Sequence, residues 1–329
     1  MLAEWYFAAG GAAWLTLHDN VVQFYPHSFD CQPVLKNSYF SSLNYLSPKA
    51  ILTASLTQLE QLIPLHTRHA TMVQYNQDTA HEIERSYITP EVAQQRVRTS
   101  ESLALRGGDH VLDVGCGTGF LAREMAITIG PAGRVVGIDS SPDMLEVAAQ
   151  RCAGLAQVSF KQGLVEQLPE QDHSFDALAC VQVLLYVDDI VQALAEMYRV
   201  LKPGGRIAVL ETDWRGTVLN SSNPELTGRM LRAWDAAVPS PNLPPRLGPL
   251  LRSQGFGALR VEAIPILNPS YAPDNFAVGA LEWIARYALE QGAVTAAEAG
   301  WWLEDLKHLG EKGEFFFCIN RFLFSAVRF

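Results

Sequence analysis

No apolar run in these 329 residues approaches the roughly 18–20 needed to span a bilayer. The nearest in texture, MLAEWYFAAGGAAWLTL at the start, carries Glu4 where a secretory leader has basic residues, so it reads poorly as a signal peptide. Basic charge is also scarce. Lys and Arg number 25 against 35 Asp and Glu, for a net charge of −10, which disfavours binding to a nucleic-acid backbone or an anionic membrane surface. The five cysteines (31, 116, 152, 180 and 318) are odd in number, dispersed, and lack any CxxC pair. That pattern argues against a disulfide framework or a zinc site and suits a reducing compartment, so a cytoplasmic protein is expected. His66 and His69 sit at i, i+3 with no carboxylate pattern near them, and His81-Glu82 reads as a solvated helix face, so no metal is expected. No catalytic triad is visible either.

What is present is ordinary globular composition, 48% hydrophobic and 18% charged, enough to bury a real core. Residues 1–70 differ from the rest. They are aromatic, low in charge, and weakly periodic, with a turn signal at His18-Asp19-Asn20 and one helical pattern over 50–62. They read equally as a cap over a pocket or as upstream sequence preceding a true start at Met72. Beyond Met72 the pattern becomes regular. VQYNQDTAHEIERSYI reads as a helix, and Thr89-Pro90 opens a second. Strands and helices then alternate: HVLDVG, FLAREMAITI, RVVGID, a helix from Pro142, AQVSFKQG, FDALACVQV, IVQALAEMYRVL ended by a Lys202-Pro203-Gly204-Gly205 turn, and GRIAVLET. Short spacing of this kind implies right-handed βαβ units and a doubly wound parallel sheet. The tail breaks the rhythm. It contains helices near 223–237, 245–254, 273–291 and 295–310, and a strand at LRVEAIPIL. A final β-prone run, EFFFCINRFLFSAVRF, would suit an antiparallel strand at the sheet edge.

In an open parallel sheet, ligands sit at the carboxyl ends of the strands. VLDVGCGTGF, with Gly115, Gly117 and Gly119, is such a place: a side-chain-free turn that a ligand can approach closely. Its spacing is GxGxG, not the GxGxxG of dinucleotide sites. Asp113, at the strand end, would repel a pyrophosphate and attract an ammonium or sulfonium; the plainer alternative is a cap of the turn. Asp139 ends the next strand about twenty residues on, where an acid holds ribose hydroxyls, as it would in any adenosine ligand. Cys116 reads as small filler within the turn.

Four stretches in order, VLDVGCGTGFLA, VVGIDSSPDML, LPEQDHSFDALACVQVLLYV and EMYRVLKPGGRIAVLETDW, resemble the motifs of the class I S-adenosylmethionine-dependent methyltransferases, and most closely the small-molecule group with the ubiquinone and menaquinone C-methyltransferases. The resemblance covers about residues 72–329. It implies a Rossmann-like α/β fold with a doubly wound seven-stranded sheet of order 3-2-1-4-5-7-6, last strand antiparallel, and helical lid elements. The implied domain spans 71–329, with 268–313 a helical insertion before the last strand and 1–70 an extension.

The resemblance also implies S-adenosyl-L-methionine as cofactor. Asp113, Gly115, Gly117 and Gly119 would surround its methionine part, Asp139 its ribose, and Ser140 and Met144 its adenine; Val181 and Gln182 match the segment whose backbone meets the ammonium. One departure stands out. The family often has Gly-Asp reaching the adenine amino group, whereas this chain has Gly163-Leu164, so adenine contact would fall to backbone at Leu164 and Val165.

Asp213 and Tyr186, after the fifth and fourth strands, are the candidates for orienting or deprotonating an acceptor. Trp214, Tyr75 and Tyr87 are candidates for contacting it. The aromatic supply of 268–302 (Tyr271, Phe276, Trp283, Trp301, Trp302) suits a lid over a lipophilic acceptor and equally a core. The expected partner is a small molecule, with neither nucleic acid nor membrane insertion, and a second copy of the chain as a further candidate. The competing readings are an NAD(P)-dependent oxidoreductase and a methyltransferase-fold binding module without turnover.

Overall fold

In the computed structural model the described residues are 84–329, together with the backbone of three strands near the start. The chain divides into two compact units, Met1–Thr67 and Arg68–Phe329. In the first, β1 (Glu4–Phe7), β2 (Ala12–His18) and β3 (Val21–His27) form an antiparallel sheet in that order. β2 and β3 pair in register from His18 with Val21 to Ala12 with His27. The helical pattern over 50–62, Tyr75, the histidine pairs and most of the 73–88 helix lie outside the described residues.

The second unit begins, among the described residues, with a helical turn at 84–87 and α1 (Pro90–Leu103). Thr89 takes the N-cap position, but its hydroxyl donates back to the Ser86 carbonyl (2.9 Å), so proline at the first helical position sets the start. Then follow β4 (His110–Val114), α2 (Phe120–Ile129), β5 (Arg134–Asp139), α3 (Pro142–Arg151), β6 (Val158–Gln162), β7 (Phe175–Val181) and α4 (Ile190–Val200). The tail supplies β8 (Leu201–Leu219), α5 (Pro224–Ala237), α6 (Pro244–Ser253), β9 (Phe256–Asn268), α7 (Phe276–Glu290), α8 (Ala296–Glu311) and β10 (Phe317–Arg328).

The sheet has seven strands in the order β6-β5-β4-β7-β8-β10-β9, which, counted along this unit, is 3-2-1-4-5-7-6. β4 through β8 pair in parallel, and β10 is antiparallel to both its neighbours. Two local expectations change. β10 is antiparallel as expected; it does not take the edge that its β-prone composition suggested but lies between β8 and β9, as the strand order implied by the resemblance has it, and β9 takes the edge. Pairing on both sides makes it interior: Arg321 stands opposite Thr212 of β8 and Ile264 of β9. The Lys202–Gly205 turn is absorbed into β8 as a bulge. Leu201 pairs with Phe175 and Arg206 with Ala177, while Gly204 takes a φ of 78°.

Two apolar clusters cover the two faces of the sheet. One is built around Leu112, Leu178, Leu194 and Val209, the other around Val111, Met125, Ala179 and Leu210. A third joins α5, α7 and α8 to the first residues of β10, with Trp302 fully buried and its indole N–H donating to the Thr227 hydroxyl at 2.8 Å. Because β10 runs antiparallel and its Asn320 pairs with Asp213 near the far end of β8, this helical layer sits at the carboxyl end of the sheet. That is where an open α/β sheet takes its ligands.

Candidate active site

The glycine turn has the backbone it needs. Gly115, Gly117 and Gly119 have φ of 67°, 50° and 78°, the left-handed region that side chains disfavour. Space is as restrictive as torsion. A Cβ on Gly115 would stand 2.1 Å from a Val183 methyl, and one on Gly119 would stand 2.9 Å from the Ala148 Cβ. The turn is held by the Ile138 carbonyl, which accepts from both Gly115 N–H (2.7 Å) and Cys116 N–H (3.0 Å). Asp139 anchors it from the side, accepting Gly117 N–H at 2.8 Å and Ser141 N–H at 2.9 Å. Burial holds the Asp139 carboxyl above its ordinary value against these backbone donors.

Asp113 differs. It is 2% exposed, and its Oδ2 has no hydrogen-bond partner among the described residues. Burial above all, then the nearby Asp139, push its carboxyl up to about 8, with the Ala122 backbone amide pulling the other way. An orphaned buried acceptor is costly, and a cation relieves it. Asp113 lines a cleft of about 180 Å³ together with Tyr87, Gly115, Val181, Gln182, Tyr186 and Trp214 from the expected set. Tyr87 lies over Gly117 and packs edge-on against Phe120 at 6.1 Å; burial first, then Asp139, push its hydroxyl up to about 12. Arg96 fixes this segment by donating to the Tyr87 carbonyl at 2.6 Å. Gln182 has a φ of 58°, rare for a side-chain-bearing residue, and its N–H donates to the Leu210 carbonyl at 2.8 Å.

The other expected cofactor residues lie outside the cleft lining, Gly117 and Gly119 in the turn after β4 and the rest at the carboxyl ends of β5 and β6. Met144 is buried, Ser140 is exposed, and Ser141 caps α3 by accepting Met144 N–H at 3.3 Å. Gly163 N–H donates to the Asp139 carbonyl (3.0 Å), Leu164 is 59% exposed beside it, and Val165 is buried.

Asp213 does not line the cleft. Successive strand residues point to opposite faces, so with Trp214 on the cleft Asp213 faces away. Its carboxylate accepts the Asn242 amide at 2.9 Å. Glu211, fully buried, acts inside the fold: it accepts the N–H groups of Val183 (3.2 Å) and Leu184 (2.8 Å), and so fixes the short turn Leu184–Tyr186 that carries Tyr186 to the cleft. Burial pushes its carboxyl up to about 8.

The aromatic segment divides. Phe276 and Trp283 line the cleft, Tyr271 packs on Phe315 at 5.4 Å, Trp302 is core, and Trp301 is half exposed. Sequence reasoning missed Gln95, Trp234 and Arg321, all on the cleft. Arg321 carried a signal: it stands at an inward position of an apolar alternating run.

Comparison with known proteins agrees with this geometry. The family described as "Methyltransferase domain" matches residues 105–243. The chain is 32% identical over 228 residues to a protein described as "Uncharacterized 37.1 kDa protein in transposon TN4556" from Streptomyces fradiae, covering 69% of this chain and 64% of that one. It is 42% identical over 117 residues to the demethylmenaquinone methyltransferase of Staphylococcus aureus, covering 36% of this chain and 48% of that one. It thus spans less than two thirds of the first relative and about half of the second. Among solved structures, phosphoethanolamine N-methyltransferase 2 of Haemonchus contortus, crystallised with S-adenosyl-L-methionine, superposes with a TM-score of 0.52 at 20% identity over 78% of this chain and 58% of that one. At that identity the likeness concerns the fold.

Proposed function

This chain belongs to the class I S-adenosylmethionine-dependent methyltransferases, and from that premise we propose that it transfers a methyl group from S-adenosylmethionine to a small aromatic or lipophilic molecule. The observation that carries the reading is the buried Asp113 carboxyl beside a side-chain-free turn, its Oδ2 without a hydrogen-bond partner among the described residues. An incoming ammonium stabilises its ionised form, and that form repels a pyrophosphate, which favours a cationic ligand over a dinucleotide. Asp139 offers its carboxylate to ribose hydroxyls, Met144 and the 163–165 backbone border the adenine position, and Val181 and Gln182 take the amino-acid end. When bound, the cofactor supplies a methyl on a sulfonium, with a neutral thioether as leaving group. The protein's part is alignment in a dry site. Tyr186, Trp214, Phe276 and Trp283 form the acceptor wall, and Tyr186 replaces Asp213 as the group placed to orient the acceptor or take its proton.

The catalytic unit on this reading is 71–329, with 268–313 as the lid. Among the described residues no helix is long and apolar enough to cross a membrane; the cytoplasm remains the proposed location. The test is transfer of isotopic methyl from S-adenosylmethionine across a panel of aromatic and quinol acceptors. Methylated product supports the reading, and binding of NADH in place of S-adenosylhomocysteine overturns it.

A further inference from the structure

The cleft holds more unpartnered donors than a lipophilic acceptor needs. Arg321 is 5% exposed and lines it. One guanidinium arm donates to the Gln95 side-chain oxygen, the cation lies 4.8 Å from the Phe276 ring centroid, and Nε has no partner. No carboxylate forms an ion pair with it among the described residues. Two further residues that line the cleft, Trp214 and Trp234, have buried indole N–H groups with no hydrogen-bond partner among the described residues, and their rings pack edge to face at 5.4 Å. Removing from water a guanidinium whose hydrogen bonding is incomplete, together with two N–H groups that have no partner among the described residues, costs free energy that these contacts only partly recover. Their common complement is an oxygen that carries negative charge, since charge-assisted hydrogen bonds are the strong ones and arginine suits a planar anion.

Position supports this. Arg321 pairs in register with Thr212, near the carboxyl end of β8. From β4, which carries Asp113, to β10 is three strand steps through β7 and β8, or about 14 Å sideways. The cation is therefore set well away from the acid, toward the aromatic wall.

Building on the methyltransferase reading above, we propose that the acceptor is a flat aromatic molecule bearing an anionic oxygen, carboxylate or phenolate, held by Arg321 and the Trp214 and Trp234 indole N–H groups. Gln95 is a positioning residue for the guanidinium. Burial lowers the Arg321 pKa to about 10, which leaves it charged at neutral pH.

The test uses the full chain with S-adenosylhomocysteine bound and two probe pairs, each at pH 8: 2-naphthoate against 2-naphthamide, and 4-nitrophenolate against 4-nitroanisole. The anion of at least one pair should bind about tenfold tighter than its neutral partner, and the pair that does so identifies the oxygen. Arg321→Gln should erase that preference and leave S-adenosylhomocysteine affinity within twofold. Trp234→Phe, which keeps the ring, should weaken the anion about threefold and leave the neutral probe alone. Equal binding within both pairs, no binding of any probe, or a preference that survives Arg321→Gln overturns the inference. So does loss of S-adenosylhomocysteine from Arg321→Gln, which would make Arg321 a cofactor ligand. Because the wild-type comparison needs no variant, a misfolded Arg321→Gln leaves the proposal exposed to refutation. Failure of S-adenosylhomocysteine itself to bind the wild-type protein would instead sink the methyltransferase reading.

Discussion

Gly115 and Val183 meet where the glycine turn passes under the end of β7, and the fit leaves no room for a methyl. Gly115→Ala should weaken S-adenosylhomocysteine binding by at least tenfold in calorimetry. Combining it with Val183→Ala, which removes the obstructing methyls, should recover part of the loss, with the torsional cost remaining. Asp113 gives a second prediction. With the unliganded carboxyl at about 8, it is largely protonated at neutral pH, and an incoming ammonium ionises it. Binding should therefore release a proton below about pH 8, and affinity should rise with pH up to about 8 and then level. Titrations in buffers of different ionisation enthalpy read this directly, and Asp113→Asn should abolish the proton release. These residues were legible beforehand because glycine and acid at a strand end have few other uses. Arg321 was not singled out, because a lone arginine in an apolar run becomes meaningful only when β10 is known to be interior and no ion pair is found to hold the guanidinium among the described residues, Glu211 acting on it only through its nearby charge.

At the scale of elements, the Leu184–Tyr186 turn depends on Glu211. The folded carboxyl stands at about 8 against an ordinary 4.5. Its contribution to stability is thus fully present below about pH 4.5 and is lost progressively as pH rises toward 8, because the unfolded chain gives up its proton first. Glu211→Gln keeps the accepting oxygen and removes the ionisation. Chemical denaturation across pH 5–8 should show the variant losing less stability with pH, by up to about 1.4 kcal/mol per pH unit. A variant with the wild-type slope would place the titration elsewhere. Strand and helix order from β4 to β8 followed from periodicity and from proline and glycine punctuation, since each βαβ unit is local. The seat of β10 did not follow from composition, because antiparallel edge and interior positions are equally β-prone; the order implied by the resemblance did place it between the fifth and sixth strands, and its pairing with both β8 and β9 agrees. The place of Asp213 off the cleft lining was hidden for a related reason: a one-residue step along a strand moves a side chain to the opposite face.

For the molecule as a whole, a sheet of the methyltransferase order presents one acid for a cationic ligand, and a helical layer of aromatic residues stands over the neighbouring strand ends. The division of labour follows from topology. β4 and β5 bring Asp113 and Asp139 to neighbouring strand ends, while β8 and β10 bring Trp214 and Arg321 to the cleft, and the strand order of that design was readable from four motifs in order. The wall was not, because its residues come from segments far apart in sequence, α1, β8, α5, α7 and β10, whose meeting only the tertiary structure reveals. Central to the account is a cationic adenosine ligand seated at Asp113. The most direct measurement is isothermal titration of the intact chain with S-adenosylhomocysteine and, separately, with NADH. Saturable one-to-one uptake of S-adenosylhomocysteine, weakened at least tenfold by Asp113→Asn, with no heat from NADH, is the predicted result; uptake of NADH, or S-adenosylhomocysteine affinity indifferent to Asp113, would contradict it.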